Sequence, residues 1–263
     1  GEESQENVRF QIKPNKIGEN NYLIKCSALS DEINIQNNQQ RIVMHVMKDQ
    51  YNIALITGAP NYNTRVLKQH LTAGNNEIDH FVYRDNKFSP NMKKFWEKKY
   101  EVVIFDNNPV ISNSKKWDSL LRIFTKKLIS HNSSFLIIPG PEVNVNSIKK
   151  YLKIIDLNVV EFLANDNRNK VWEFSNNWFQ DFSINDSKMT FNDVESLPPQ
   201  NPAFKLREQS NSKNNINYAE YKGLSPNPLL ILGEKKPIRY AVWNSIDLAS
   251  IKYKLINTKN PFV

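Results

Sequence analysis

Polar residues follow two short apolar segments of the chain and are the first candidates for chemistry. Segment 53–56 is followed by the turn 57–61, and segment 102–105 by Asp, Asn and Asn at 106–108. In open parallel sheets, ligands bind at the carboxyl ends of strands, and an arginine at a helix start can hold a carboxylate or a phosphate. The predicted ligand-binding residues are therefore Gly58, Asn61, Arg65, Asp106 and Asn107.

A structural interpretation of the same residues stays open. Asn61 or Asn63 would cap the following helix through its side-chain oxygen. Gly58 would relieve the turn, and Arg65 would pair with Asp106 as a structural ion pair. Under this interpretation these residues stabilise the fold and bind no ligand.

Nucleophilic, metal and nucleotide chemistry lack the residues that they need. The single cysteine, Cys26, lies in an alternating segment that predicts a buried small side chain. None of the four histidines has a pair of metal-ligating partners at three- or four-residue spacing. The turn 57–61 has one glycine and a proline, and no Gly-rich phosphate loop occurs. We expect no catalytic Cys–His pair, metal or cofactor, while carboxylates assembled from distant positions stay open.

The elements that must position these residues alternate between strands and helices. Short apolar runs, typical of strands buried on both faces, are separated by segments with helical spacing of apolar residues. The predicted strands are 53–56, 80–83, 102–105 and 135–138, and the predicted helices are 64–71, 91–99, 117–130 and 147–155. This alternation predicts an α/β fold with a doubly wound parallel sheet.

Residues 1–49 predict a separate β-rich segment. Apolar and polar residues alternate in 8–12, 22–26 and 42–46, and residues 18–20 have turn chemistry. Three strands are too few for an independent sandwich. We interpret the segment as the end of an immunoglobulin-like β domain whose earlier strands are missing.

Residues 50–263 are predicted to form one α/β domain that includes a late β-hairpin. Residues 175–217 are rich in Asn, Ser and Pro and predict long loops. Two β segments, 228–232 and 238–243, then predict the hairpin. Apolar spacing predicts a helix over 246–255.

The formal charge of +8 could indicate a nucleic-acid partner. The lysines are instead spread through amphipathic segments, and the pair Lys126-Lys127 is predicted on a solvated helix face. We expect no nucleic-acid binding. No run approaches the ~18 to 20 apolar residues of a membrane span. The opening residues 1–4 are atypical of a natural N-terminus, so we expect a fragment of a longer protein.

Several patterns occur in a characteristic order along the chain. They are Glu32 with Asn37-Asn38, the apolar strand 53–56 followed by Gly58-Ala59-Pro60, the helix start 63–67 with Arg65, the strand closed by Pro139-Gly140, and the hairpin with Pro228-Leu229-Leu230 and residues 239–243. In this order they resemble a bacterial family of membrane-anchored proteins with a class I glutamine amidotransferase-like domain, often beside von Willebrand A-like domains. The turn 235–237 departs from the pattern, because the family has a glycine-rich turn there.

The resemblance implies a periplasmic, extracytoplasmic region of a membrane protein, with its anchors outside this chain. Its partners would be other envelope proteins or other domains of the same full-length chain. Amidotransferase chemistry needs a cysteine on a sharp strand-to-helix turn and a histidine oriented by a carboxylate. The corresponding turn, 139–142, is Pro-Gly-Pro-Glu and contains no Cys, Ser or Thr.

Our first hypothesis is therefore a non-catalytic binding or scaffolding module with an amidotransferase-like fold. The alternative is a hydrolase or small-ligand-binding enzyme that uses the crevice at the carboxyl ends of the strands. A third hypothesis, a basic face resting on anionic lipid, predicts that the lysines cluster on one side.

Overall fold

The computed structural model describes residues 9, 11–14, 16–28, 36–46, 50–73, 75–163, 169–181, 197–208, 214–223 and 227–257. The chain divides into two compact units, Gly1–Asp49 and Gln50–Val263.

The first unit contains a β-hairpin. Strand β1 (Gly18–Lys25) pairs antiparallel with β2 (Gln39–Val46). Residues 18–20, predicted as a turn, are instead the first residues of β1. The prediction that Cys26 is buried is also wrong, because this residue follows β1 and its side chain is exposed. Of the predicted strand 8–12, residues 8 and 10 lie outside the described residues, and the described remainder is not in a strand.

The second unit is built on a nine-stranded sheet. Its strands are β3 (Asn52–Thr57), β4 (Glu77–Arg84), β5 (Lys87–Ser89), β6 (Val102–Asp106), β7 (Ser134–Ile138), β9 (Trp172–Phe174), β11 (Asn215–Tyr221), β12 (Asn227–Lys235) and β13 (Ile238–Trp243). Two further strands, β8 (Leu157–Phe162) and β10 (Phe204–Glu208), pair antiparallel with each other.

The strand order in the large sheet is β5-β4-β3-β6-β7-β13-β12-β11-β9. The central strands β4, β3, β6, β7 and β13 are parallel to their neighbours in this group. The outer strands β5, β12, β11 and β9 are joined by antiparallel pairing. The predicted α/β class is thus confirmed, with a parallel centre and antiparallel margins.

Helices cover both faces of the parallel strands. The helices are α1 (Tyr62–Ala73), α2 (Met92–Glu97), α3 (Ser114–His131), α4 (Val145–Ile154), α5 (Asn176–Asp181) and α6 (Leu248–Asn257). Because side chains alternate along a strand, Phe105 of β6 packs against the α3 residue Phe124, whereas Ile104 lies in the opposite cluster with Leu67 of α1. Each buried large apolar side chain contributes about 1.5–3 kcal/mol, so the two apolar faces fix the helices on the sheet.

Lys127 of α3 is buried, which overturns its predicted place on the solvent face. Its side chain is 7% exposed, and Nζ donates to the main-chain oxygens of Trp96 at 3.2 Å and Lys98 at 2.7 Å. The ammonium also lies 5.1 Å from the centre of the Phe95 ring. Burial lowers the pKa of Lys127 to about 8. The amphipathic pattern missed this, because a lysine stem packs like an apolar chain when its head finds acceptors.

The loop prediction for residues 175–217 is wrong in part. This range contains the strand β10 and the first three residues of β11 besides the short helix α5, while residues 182–196 and 209–213 lie outside the described residues. Among the described residues, no helix is long and apolar enough to cross a bilayer.

Candidate functional site

Asp106, the last residue of β6, is buried against the start of α1. It is 1% exposed, and its Oδ2 accepts hydrogen bonds from Thr57 Oγ1 at 2.9 Å and Thr64 Oγ1 at 2.6 Å. Thr57 ends the neighbouring strand β3 directly opposite Asp106, so both side chains project from the same face of the sheet. Burial raises the pKa of Asp106 to about 6, and the two threonine hydrogen bonds limit that rise.

His80 of β4 extends this network toward the surface. Its Nε2 lies 2.9 Å from Thr57 Oγ1. Because the Thr57 hydroxyl proton is donated to Asp106, the His80 ring must carry its proton on Nε2 and donate it to Thr57. Burial, together with the smaller effect of the charges of Lys68 and Arg84, lowers the pKa of His80 to about 4. The ring is therefore neutral at neutral pH.

The first turn of α1 is capped by Asn61. Its Oδ1 accepts hydrogen bonds from the main-chain nitrogens of Asn63 at 2.8 Å and Thr64 at 3.3 Å. The predicted pairing of Arg65 with Asp106 does not occur, because the two threonines hold that carboxylate and the Arg65 side chain is exposed. Asn63 instead accepts from Ala249 N at 2.9 Å and so ties α1 to the start of α6.

Asn107 fills the space between the turns after β3, β6 and β7, which we call the strand-end crevice. Its Nδ2 donates to Ala59 O at 2.9 Å and to the Glu142 carboxylate, and its Oδ1 accepts from Glu142 N at 3.2 Å. A Cβ added at Gly140 would lie 2.3 Å from Asn107 Cγ, and one at Gly58 would lie 2.3 Å from Asn107 O. Both glycines are thus needed for the close approach of Asn107.

The backbone of Asn107 also suits this role. Its φ is +46°, a left-handed conformation that asparagine tolerates better than most residues. The residue is 0% exposed and its main-chain nitrogen donates to Ile138 O at 2.9 Å. Pro139 and Gly140 of the turn 139–142 are therefore buried beside Asn107, while Pro141 and Glu142 are exposed.

An open groove lies beside the closed crevice, between α1 and the end of β4. It has a volume of about 540 Å³. We call it the basic groove, since its charged lining residues are the cations Arg65, Lys68 and Arg84, with His80 beside them. Tyr62 at the groove is 72% exposed and packs edge-on to Tyr253, with ring centres 6.4 Å apart.

The structure separates the five predicted ligand-binding residues into two groups. Gly58, Asp106 and Asn107 belong to the packed crevice, whereas Asn61 and Arg65 line the basic groove. Sequence reasoning missed the residues that complete both places: Thr57, Thr64, Lys68, His80 and Arg84. The two-residue period of β4 places its even-numbered side chains on the face that α1 covers. This alternation is visible in the sequence. It identifies the residues of the site only once β4 is known to pair with β3, and sequence spacing does not reveal that pairing.

Among the described residues, no three His, Cys, Asp or Glu side chains are placed to hold a metal ion. The site so defined belongs to an α/β protein with a packed strand-end crevice and a neighbouring basic groove.

Comparison with known proteins adds little to this description. No protein-family profile and no curated protein matches the chain. One solved structure with a similar arrangement is titled "Crystal structure of Agd3 a novel carbohydrate deacetylase". The match has a TM-score of 0.42 and 11% identity over 78% of this chain. The chain spans about a third (32%) of the length of that protein. At this level the likeness supports no argument about function.

Proposed function

We propose that this chain is a non-catalytic binding or scaffolding module with a doubly wound, amidotransferase-like fold. The observation that carries the proposal is the packing of Asn107 into the strand-end crevice, where it is 0% exposed and bonded to both flanking turns. A substrate at the carboxyl ends of β3, β6 and β7 would have to displace this side chain. The crevice is therefore part of the folded interior.

The hydroxyl and carboxyl groups beside the strand-end crevice are unsuited to catalysis. Thr57 is 0% exposed and Asp106 is 1% exposed, so neither reaches a substrate. The turn 139–142 offers no nucleophile. A catalytic nucleophile must lie within hydrogen-bond reach of its base and also face the substrate, and Thr57 meets only the first condition.

One observation favours the alternative, a hydrolase or small-ligand-binding enzyme. The order Asp106–Thr57–His80 resembles a chain in which a buried acid orients a histidine that faces an open groove. A general base works best when its pKa is near the working pH. With a pKa of about 4, His80 accepts protons weakly at neutral pH. This keeps the enzyme hypothesis second.

The cellular setting of the module rests on the family resemblance alone. We propose an extracytoplasmic, periplasmic region of a membrane protein, whose residues 1–49 close an immunoglobulin-like β domain. Other envelope proteins, or other domains of the same full-length chain, would be its partners.

Hydrolysis assays on the whole chain test the first proposal. Ammonia release from glutamine and hydrolysis of p-nitrophenyl acetate should not exceed the rate in buffer. His80→Ala and Asp106→Asn should leave these rates unchanged, as should His70→Ala, a control at an exposed histidine of α1. A rate above buffer that disappears in His80→Ala and Asp106→Asn but persists in His70→Ala would establish the enzyme instead.

A further inference from the structure

Among the described residues, no acidic side chain forms an ion pair with the three cations of the basic groove. Arg65 and Lys68 are three residues apart on α1 and so share one side of the helix, and Arg84 ends β4 opposite them. All three side chains are exposed. No ion pair joins any of them to a carboxylate in the described part of the chain. The groove thus concentrates positive charge that no described carboxylate neutralises by an ion pair.

The lysines around α2 show the opposite arrangement on the same sheet edge. Lys94 pairs with Asp79, Lys98 pairs with both Asp79 and Glu77, and Lys93 lies 3.6 Å from Glu97. These lysines line a surface depression of similar size, about 640 Å³, but each of them pairs with a carboxylate. The unbalanced charge of the basic groove is therefore a local property and does not follow from the basic composition of the chain.

Side chains rather than helix amides would hold a ligand in the groove. The main-chain nitrogens of Asn63 and Thr64 at the start of α1 already donate hydrogen bonds to the side chain of Asn61. The guanidinium groups of Arg65 and Arg84 present planar pairs of donors, which suit the oxygens of a phosphate. Lys68 adds a third positive charge on the same side as Arg65.

The orientation of His80 adds a proton-linked donor to this set. Its Nε2 is committed to Thr57, so Nδ1 is the nitrogen left to face a ligand. The charged groups around the ring are Arg65 and Lys68 on α1, Arg84 on β4, and Asp106 behind Thr57 on β6. A bound anion would offset the nearby cations and let Nδ1 take up a proton. The ring would then donate to the anion.

We propose that the basic groove binds a doubly charged oxyanion of the phosphate-monoester type, held by Arg65, Lys68 and Arg84, with Tyr62 contacting the organic part of the ester. The anion-binding proposal rests on the proposed function of the chain as a binding module and specifies the class of ligand that the module binds. Two charges match a phosphate monoester near neutral pH, and the open, exposed side of Tyr62 leaves room for the attached group.

Calorimetric titration of the whole chain with inorganic phosphate at low salt tests the core of the proposal. Arg65→Ala, Lys68→Ala and Arg84→Ala should each weaken phosphate binding about three- to tenfold, as expected for exposed charge-assisted contacts. The control variants Arg122→Ala and Lys149→Ala remove exposed cations from α3 and α4 on the other face of the sheet. They should leave the affinity within twofold. Absence of binding, or equal losses in groove and control variants, would overturn the proposal.

NMR titration of the histidine rings gives a readout that a change in folding alone would not produce. Sulfate keeps its double charge over the working pH range, so it separates ring protonation from ligand protonation. Saturating sulfate should raise the pKa of His80 from about 4, and Arg84→Ala should need about three- to tenfold more sulfate for the same rise. An unchanged His80 titration in the wild-type chain would contradict the placement of the anion.

Binding assays with lipid vesicles distinguish a phosphate on a lipid headgroup from a phosphate on a soluble ester. Binding to phosphatidic acid vesicles that groove variants weaken and control variants do not, with weak binding of free phosphate, would identify a lipid headgroup. Binding of free phosphate without vesicle binding would identify a soluble ester. Vesicle binding that groove and control variants weaken equally would overturn the groove as the site. The hydrolysis assays and the anion titrations give independent results. Catalysis would contradict the proposed non-catalytic function, whereas only the titrations show whether the basic groove binds an anion.

Discussion

Replacing Gly140 with alanine tests whether Asn107 closes the crevice. The added Cβ would lie 2.3 Å from Asn107 Cγ and 2.5 Å from its Cβ and Oδ1. Gly140 is not among the residues with positive φ, so its backbone accommodates alanine apart from this contact. The substitution must therefore move the Asn107 side chain out of its place.

The expected cost follows from the contacts that this movement breaks. Asn107 would lose its hydrogen bonds with Ala59 O and Glu142 N, each contributing about 0.5–1.5 kcal/mol. Overpacking adds about 1–3 kcal/mol, and the lower unfolded-state entropy of alanine offsets about 0.4–1 kcal/mol. We expect Gly140→Ala to lower the free energy of unfolding by about 2–4 kcal/mol.

Urea unfolding of a double-mutant cycle measures this contact. Asn107→Gly removes all three contacting side-chain atoms and suits the φ of +46°. In that background Gly140→Ala should cost less than about 1 kcal/mol, a coupling of about 2 kcal/mol. Gly58→Ala is the matched control, because its Cβ would meet the main-chain oxygen of Asn107, which Asn107→Gly leaves in place. Equal costs of Gly140→Ala in both backgrounds would refute the packed crevice.

Two further substitutions test the buried charges. Burial raises the pKa of Asp106 from 3.8 to about 6. Between these two pH values the folded chain therefore binds more protons than the unfolded chain. The contribution of this carboxyl group to the free energy of unfolding accordingly falls as the pH rises. The unfolding free energy of Asp106→Asn relative to wild type should therefore increase by about 2–3 kcal/mol from pH 4 to pH 7, and a constant difference in urea unfolding would contradict this. Lys127→Met leaves the carbonyls of Trp96 and Lys98 without their donor and should cost about 1–3 kcal/mol. Lys126→Met at the exposed neighbour should change stability by less than about 0.5 kcal/mol; equal effects of the two substitutions would show that Lys127 is not buried.

The core of the fold was predictable because its strands are continuous apolar runs. Segments 53–56, 102–105 and 135–138 became β3, β6 and β7 nearly to the residue, since strands covered on both faces exclude polar residues. Strand β8 was missed because half-exposed Val160 and Glu161 blur its pattern. Strands β10 and β11 were not predicted, because they lie in an Asn- and Ser-rich stretch whose composition favours turns more strongly than their few β-prone residues favour strands.

The candidate site was predictable only as far as local sequence reaches. Asp106 and Gly58 were placed together correctly because the carboxyl ends of parallel strands meet at one edge. The partner of Asp106 was predicted wrongly, since opposite charge favoured Arg65 while two nearer threonines satisfy the carboxylate. His80 was set aside because its sequence neighbours offer no metal partner, yet its partner Thr57 lies 23 residues away.

The position of β13 in the sheet has a consequence for how the chain folds. Tyr240 of this late strand pairs with Phe135 of β7, so the centre of the sheet is joined by residues about 100 apart in sequence. Such distant pairing delays folding, because the entropy of closing a long loop is lost before the contact forms. During synthesis β3, β4, β6 and β7 emerge well before β13, and until then β7 presents an apolar, unpaired edge. An edge of this kind is a template for pairing with other chains. We therefore expect the interval before β13 emerges to be the time at which this protein is most prone to aggregation and most dependent on chaperones.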